Sequence, residues 1–204
     1  MPDAAKPGAA MPALAPRGAF DGLRALAGEG RGVLVKVRSP QLATVTALAA
    51  GRGVIARALD GLGLALPEGS RRVVRDGAAV LGLGPRSWLV AREGGAPLAA
   101  ELTRALADAA AVADQSDGYG VLRLSGPRVR ALLEKGVALD LHDRAFPPGS
   151  AAATLCAHLG IVLWRLDDAA GSAVFEVAVP RSLAGSFWHF VAAGAAEYGL
   201  GIEP

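Results

Sequence analysis

The sequence predicts an α+β protein made of two ferredoxin-like (split βαβ) units packed together. Three observations support this fold class. Short segments with alternating apolar residues and many β-branched side chains favour strands. Other segments with apolar residues three or four positions apart favour amphipathic helices. These segments occur twice in the same order, strand, helix, strand, strand, helix, which is the order of a split βαβ unit.

The first unit is predicted over residues 31–118. Its elements are strands over 33–38 and 42–49, a helix over 51–61, an irregular connection over 62–77, a hairpin of 80–84 and 88–92, a helix over 97–111 and a strand over 112–116. The helix over 97–111 has the strongest pattern, because Leu98, Leu102 and Leu106 share one face and Pro97 suits a first turn.

The second unit is predicted over residues 119–204. Its elements are a strand over 121–125, a helix from Gly126-Pro127 to Gly136, a long connection over 137–155, a hairpin of 159–166 and 174–179, and a helix over 181–195. Glycine and apolar positions of the 51–61 segment recur 75 residues later in the 126–136 segment, which favours an internal duplication. The two units are expected to enclose one continuous core.

Residues 1–30 are rich in alanine and proline and are expected to form a disordered tail, because each proline removes a hydrogen-bond donor and restricts its neighbour. This segment has neither the basic start nor the apolar centre of a secretory signal. The longest strongly apolar run, residues 159–164, is far shorter than the ~20 residues of a membrane-spanning helix. We therefore expect a cytoplasmic protein without a membrane partner.

The charge pattern argues against nucleic-acid binding. The net charge is +2, and the 18 arginines are scattered among acidic residues rather than gathered in a stripe. Aromatic residues make up only 5% of the chain, too few for a base-stacking platform. Cys156 is the single cysteine, so no internal disulfide forms, and its apolar neighbours favour a buried thiol over a nucleophile.

Motifs that could carry chemistry are weak. Residues 51–56 fit G-x-G-x-x-A, but a dinucleotide site also needs a parallel βαβ unit and an acidic residue after its second strand, and Asp76 falls in a turn. The histidines lack metal-ligand spacing, and His158 is expected on a strand among apolar residues. Asp140 could orient His142 as a base, yet no nucleophile motif accompanies them. No catalytic, cofactor-binding or metal-binding residue is assigned.

Several short motifs resemble, in order and spacing, the gamma subunit of heterotetrameric sarcosine oxidase. The resemblance covers roughly residues 30–200 and includes Asp114-Gln115-Ser116-Asp117, Ser125-Gly126-Pro127, Asp140-Leu141-His142, Phe146-Pro147-Pro148-Gly149 and Val179-Pro180-Arg181-Ser182. The chain departs from the family at Val137, where a cysteine is expected. The family's fold resembles the folate-binding fold of the aminomethyltransferases.

The resemblance implies a structural subunit of an enzyme that oxidatively demethylates sarcosine to glycine, with hydrogen peroxide and either formaldehyde or methylene-tetrahydrofolate as products. FAD, FMN, NAD and tetrahydrofolate are then expected on the partner alpha, beta and delta subunits and none on this chain. The expected interface or structural residues are Asp114, Ser116, Asp140, His142, Arg144, Phe146, Trp88, Trp164 and Trp188. The alternative is a stand-alone folate-binding, one-carbon-transfer protein with Asp114 or Asp140 against the pterin.

Overall fold

The computed structural model describes residues 17–22 and 30–203. In this part of the chain the strands are β1 (Val33–Arg38), β2 (Gln41–Ala47), β3 (Arg72–Arg75), β4 (Ala78–Gly84), β5 (Ser87–Arg92), β6 (Ala110–Asp114), β7 (Tyr119–Ser125), β8 (Ala151–Cys156), β9 (Leu159–Arg165), β10 (Phe175–Pro180) and β11 (Leu200–Glu203). The α-helices are α1 (Arg52–Asp60), α2 (Leu98–Leu106), α3 (Val129–Leu133) and α4 (Ala184–Ala195). None of these helices has the length and apolar character that crossing a bilayer requires.

Five strands form an antiparallel sheet in the order β3-β4-β5-β2-β6. A split βαβ unit is formed, in chain order, by β2, α1, β4, β5, α2 and β6. Its four strands lie in the sheet in the order β4-β5-β2-β6, which is the order of that unit. Strand β3 is an additional edge strand that pairs with β4.

The other six strands form a sheet in the order β11-β1-β7-β10-β9-β8. The series β7, α3, β9, β10, α4 and β11 repeats the first unit, and β8 occupies the edge position that β3 has there. Strand β1 is inserted between β7 and β11, antiparallel to the first and parallel to the second. The predicted pair of ferredoxin-like units is confirmed, and β1, from the segment assigned to the first unit, completes the sheet of the second.

Buried apolar side chains form three layers rather than one continuous core. One lies between α1, α2 and the five-stranded sheet, and another lies between α3, α4 and the six-stranded sheet. The third lies between the two sheets and contains Leu81 and Leu89 from one and Val162 and Ala178 from the other. The layers therefore run helix, sheet, sheet, helix, as expected when each sheet buries both faces.

Helix α2 is shorter than the predicted 97–111. It buries Leu98, Leu102 and Leu106 as its spacing indicates, but Ala107 adopts a φ of 42° and ends the helix. After a single 3-10 turn at Ala107–Ala109, strand β6 pairs with β2, and this pairing satisfies backbone groups that a longer helix would leave on the sheet edge.

Three strands lie in segments predicted as connections or not assigned to an element: β3, β8 and β11. Strands β3 and β8 each enter a hairpin through two residues of positive φ, Asp76-Gly77 and Ala157-His158. The prediction that His158 lies on a strand is therefore wrong, and its side chain is exposed in the turn. Tight hairpins favour this conformation because its twist matches that of the strands.

The predicted tail is described only in part. Residues 1–16 and 23–29 lie outside the described residues. Within 17–22, Phe20 is buried against the six-stranded sheet, and a side chain at Gly120 would collide with its ring. This short part of the tail is thus packed on β7.

Candidate functional site

The polar cluster at Asp114 and Ser116 closes a turn between strands. The Ser116 backbone N–H and hydroxyl both donate to Asp114 Oδ1, at 2.9 and 2.7 Å. The same hydroxyl oxygen accepts a hydrogen bond from the Leu42 N–H at 3.1 Å, which ties the end of β6 to β2. These bonds, first from the Ser116 backbone and then from its hydroxyl, lower the pKa of Asp114. The residues act as a structural turn.

The Asp140–Arg144 segment is a hydrogen-bonded loop whose polar side chains are exposed and whose Leu141 is buried. Asp140 Oδ1 accepts from the His142 backbone N–H at 2.8 Å, and His142 Nδ1 accepts from the Arg144 N–H at 3.2 Å. The carboxylate therefore meets the backbone of His142 rather than its imidazole. The pairing expected of a carboxylate that orients a catalytic base is absent from this loop.

Phe146 ends the loop and packs inside the molecule. Its ring stacks on Phe175 with 6.4 Å between centroids. Arg165, only 1% exposed, lies 5.3 Å from the same Phe175 ring and donates to the Phe146 carbonyl at 3.3 Å. A buried guanidinium therefore supports the loop from below.

Arg165 also binds two carboxylates on the molecular surface. It donates to Asp143 at 2.6 Å and to Asp168 at 2.5 Å. Arg130 binds the same Asp143 oxygen at 2.5 Å. Hydrogen bonds from Arg130 and then Arg165 lower the pKa of Asp143 to about 2, because both stabilise its ionised form.

The Pro147-Pro148-Gly149 segment links the two sheets. Arg72 N–H donates to the Gly149 carbonyl at 2.7 Å, and Gly149 N–H donates to the Arg165 carbonyl at 3.0 Å. The Arg71 guanidinium donates to the Pro148 carbonyl at 3.1 Å and to the Ser150 hydroxyl at 3.3 Å. A backbone bridge between Arg71 and Ser150 completes the link. This motif therefore joins the edge of one unit to the edge of the other.

The three tryptophans lie one in each apolar layer. Trp88 packs under α1 and α2, Trp188 lies in α4 against the six-stranded sheet, and Trp164 lies between the sheets. Each is at most 4% exposed, which confirms their predicted burial. All three support the chain's own interior.

Trp164 leads to a charged network that the sequence reading missed. Its indole N–H donates to Glu176 Oε2 at 2.8 Å. Arg123 donates from Nε to Glu176 Oε1 at 2.9 Å, and its Nη2 forms an ion pair with the same oxygen at 2.7 Å. Arg38 Nε lies 3.7 Å from that oxygen. The sequence signal for this network was a charged residue inside each of two apolar strands. These residues are Arg123 in Val-Leu-Arg-Leu and Glu176 in Phe-Glu-Val.

The single cysteine and the three histidines differ in their exposure. Cys156 is buried, and burial raises the pKa of its thiol to about 12, which keeps it protonated. All three histidines are exposed. Among residues 17–22 and 30–203, no three His, Cys, Asp or Glu side chains converge as metal ligands. Residues 51–56 lead into α1 from an antiparallel sheet, which lacks the parallel unit of a dinucleotide site.

Two clefts lie near the junction of the sheets. The larger, about 330 Å³, is lined by residues 17–20, 37–41, 116–117, 119–121 and Arg181. The smaller, about 200 Å³, is rich in arginine and includes Glu176. Asp114 and Asp140 line neither cleft.

This architecture defines an α+β protein with a two-unit, folate-binding-like fold. It matches the glycine cleavage system aminomethyltransferase T from Bartonella henselae with a TM-score of 0.60 and 17% identity, over 85% of this chain and 48% of that one. The chain belongs to the sarcosine oxidase, gamma subunit family, whose model matches residues 47–197.

Relatives within the family cover much of the chain. The sarcosine oxidase subunit gamma of Corynebacterium sp. (strain P-1) is 38% identical over 139 residues, 66% of this chain and 68% of that protein. The Arthrobacter sp. subunit gamma is 41% identical over 120 residues, 58% of this chain and 59% of that protein. A chain of the heterotetrameric sarcosine oxidase from Corynebacterium sp. U-96 matches with a TM-score of 0.78 and 26% identity, over 90% of this chain and 96% of that one.

Proposed function

We propose that this chain is the gamma subunit of a heterotetrameric sarcosine oxidase and that it contributes structure and subunit contacts rather than catalytic groups. The observation that carries the proposal is the structural match to a chain of such a complex over 96% of that chain. The family match over residues 47–197 supports it independently.

The site geometry supports a structural role. The motifs shared with the family are engaged in holding this chain together: Asp114 and Ser116 tie β6 to β2, and the Pro147-Pro148-Gly149 segment ties the two units. The thiol of Cys156 is buried and protonated. We propose that FAD, FMN, NAD and tetrahydrofolate lie on the partner alpha, beta and delta subunits, and that the complex works in the cytoplasm.

The stand-alone folate-binding alternative is less well supported. Asp114 and Asp140 each bind a backbone N–H group of their own loop through Oδ1, and neither lines the two clefts near the junction of the sheets. The likeness to aminomethyltransferase T concerns the fold alone.

Co-purification tests the proposal. The full chain carries an affinity tag and is co-expressed with the alpha, beta and delta subunits of a heterotetrameric sarcosine oxidase. We expect equimolar recovery of all four polypeptides with flavin absorbance, and the same result when the tag is moved to another subunit. Recovery of this chain alone, without flavin but with micromolar affinity for tetrahydrofolate, would support the alternative instead.

A further inference from the structure

Four arginines converge on one small cleft where the layer between the sheets reaches the surface. They come from four strands: Arg38 from β1, Arg72 from β3, Arg92 from β5 and Arg123 from β7. We call this feature the arginine cleft, and its volume is about 200 Å³. Trp164 and Ala79, from the apolar layer between the sheets, also line it.

Carboxylates pair directly with three of these four arginines. Glu176 pairs with Arg123 at 2.7 Å and with Arg38 at 3.7 Å. The more exposed Glu93 also pairs with Arg38, at 2.7 Å.

Arg92 is paired outside this set, with Glu101 at 2.7 Å. The Arg72 side chain makes neither an ion pair nor a hydrogen bond to any residue in the described part of the chain. Glu176 and Asp167 attract Arg72 electrostatically, but in the described part of the chain neither forms an ion pair with it, so Arg72 is the one arginine of the cleft without a direct carboxylate partner.

Three of the arginines in the cleft also have a buried hydrogen-bond donor without a partner. The Nε–H groups of Arg38, Arg72 and Arg92 are buried without a hydrogen-bond partner in the described protein. They are three of the five buried side-chain atoms in this state, and all three residues line one cleft. Folded proteins leave few buried donors unpaired, because each unpaired donor destabilises the fold. Burial also lowers the pKa of Arg72, an effect that a bound negative charge would reverse.

We propose that the arginine cleft binds a small oxyanion, a carboxylate or phosphate group, through Arg72 with support from Arg38 and Arg92. Guanidinium groups present planar pairs of N–H donors that match the oxygens of either group. The volume suits a compact anion, because sites for drug-sized ligands occupy about 300–1,000 Å³. The site is separate from the proposed function, since no subunit contact or catalytic step is needed for it.

Anion titrations of the purified full chain test the proposal. Inorganic phosphate and acetate are titrated separately at constant ionic strength, with chloride as the reference ion, and binding is followed by calorimetry and by the thermal midpoint. We expect saturable binding of at least one of the two oxyanions. The stronger of the two identifies whether the cleft prefers phosphate or carboxylate.

Two arginines on the same strand provide matched variants. Arg72→Gln should weaken oxyanion binding at least about tenfold, because it removes a charge-assisted bond. Arg72→Lys keeps the charge without the planar donors and should weaken it less. Arg75→Gln, at an exposed position paired with Asp60, should leave binding unchanged.

Three outcomes would overturn the proposal. Equal effects of Arg72→Gln and Arg75→Gln would mean a general ionic effect on the surface. No difference between the oxyanions and chloride in the unmutated chain would mean that the cleft holds solvent. Weaker co-purification of the Arg72→Gln chain with the other subunits, without any oxyanion binding by the unmutated chain, would mean that an acidic residue of a partner protein fills the cleft.

Discussion

Replacing Glu176 by glutamine should destabilise the chain far more than the same change at Glu93. Both carboxylates pair with Arg38, but the Glu176 side chain is 12% exposed and that of Glu93 is 56% exposed. Glu176 accepts from Arg123 through one oxygen and from Trp164 through the other. The two substitutions therefore compare a buried with an exposed carboxylate around one arginine.

The expected loss of unfolding free energy follows from the number of hydrogen bonds that a glutamine side chain can accept. Its single oxygen can serve Arg123 or Trp164, so its amide must face the other donor and one buried N–H loses its partner. That loss costs about 1–3 kcal/mol, and an uncompensated buried charge adds up to about 3–5 kcal/mol. Since Arg123 and Arg38 are 34% and 24% exposed, water offsets part of the charge term. We expect a total of about 3 kcal/mol.

The assay is urea unfolding of the full chain, followed by tryptophan fluorescence. Glu176→Gln should lower the midpoint by about 1 M if the m value is about 3 kcal/mol per molar urea. Glu93→Gln should cost less than about 1 kcal/mol, as is usual for exposed ion pairs. Equal midpoints for the two variants would refute the reasoning, since the Glu176 network would then contribute no more than a surface pair.

Three further changes test other parts of the structure. Gly126→Ala should lower the free energy of unfolding, measured by urea titration, by at least about 2 kcal/mol. Gly126 has a φ of 104°, and a Cβ at this position would lie 2.7 Å from the Gly32 carbonyl oxygen. An unchanged urea midpoint would contradict this. The pKa of Asp143 is lowered from its usual 3.8 to about 2, so its contribution to stability should be complete above about pH 4 and lost as the pH falls toward 2. The free energy of unfolding of Asp143→Asn should therefore depend less on pH in that window. An unchanged pH dependence would contradict this. Ser116→Ala should cost about 1 kcal/mol in thermal unfolding, because the Leu42 N–H loses its acceptor; no loss would mean that water replaces the hydroxyl.

Local patterns predicted much of the secondary structure. Strand β1 and helix α1 follow from alternation and from glycines at the helix ends, and both match the structure closely. Strands β3 and β8 were not predicted, because Arg-Val-Val-Arg is short and Ala-Ala-Ala-Thr has low strand propensity. Their pairing with β4 and β9 at sheet edges determines their conformation.

Contacts between segments far apart in the chain could not be predicted from the sequence. Strand β1 pairs in parallel with β11 in the second sheet, 167 residues later, and no local pattern encodes that choice. The arginine cleft depends on the same convergence, because Arg38, Arg72 and Glu176 lie on strands far apart in the chain. The turn at Asp114 and Ser116, in contrast, depends on a hydrogen bond between residues only two positions apart.

Sarcosine-dependent production of hydrogen peroxide, compared between this chain alone and the co-expressed four-subunit complex, tests the central claim most directly. A structural subunit should show no turnover by itself and should be present in equimolar amount in the active complex. Peroxide production by the isolated chain, or an active complex from which this chain is missing, would contradict the claim.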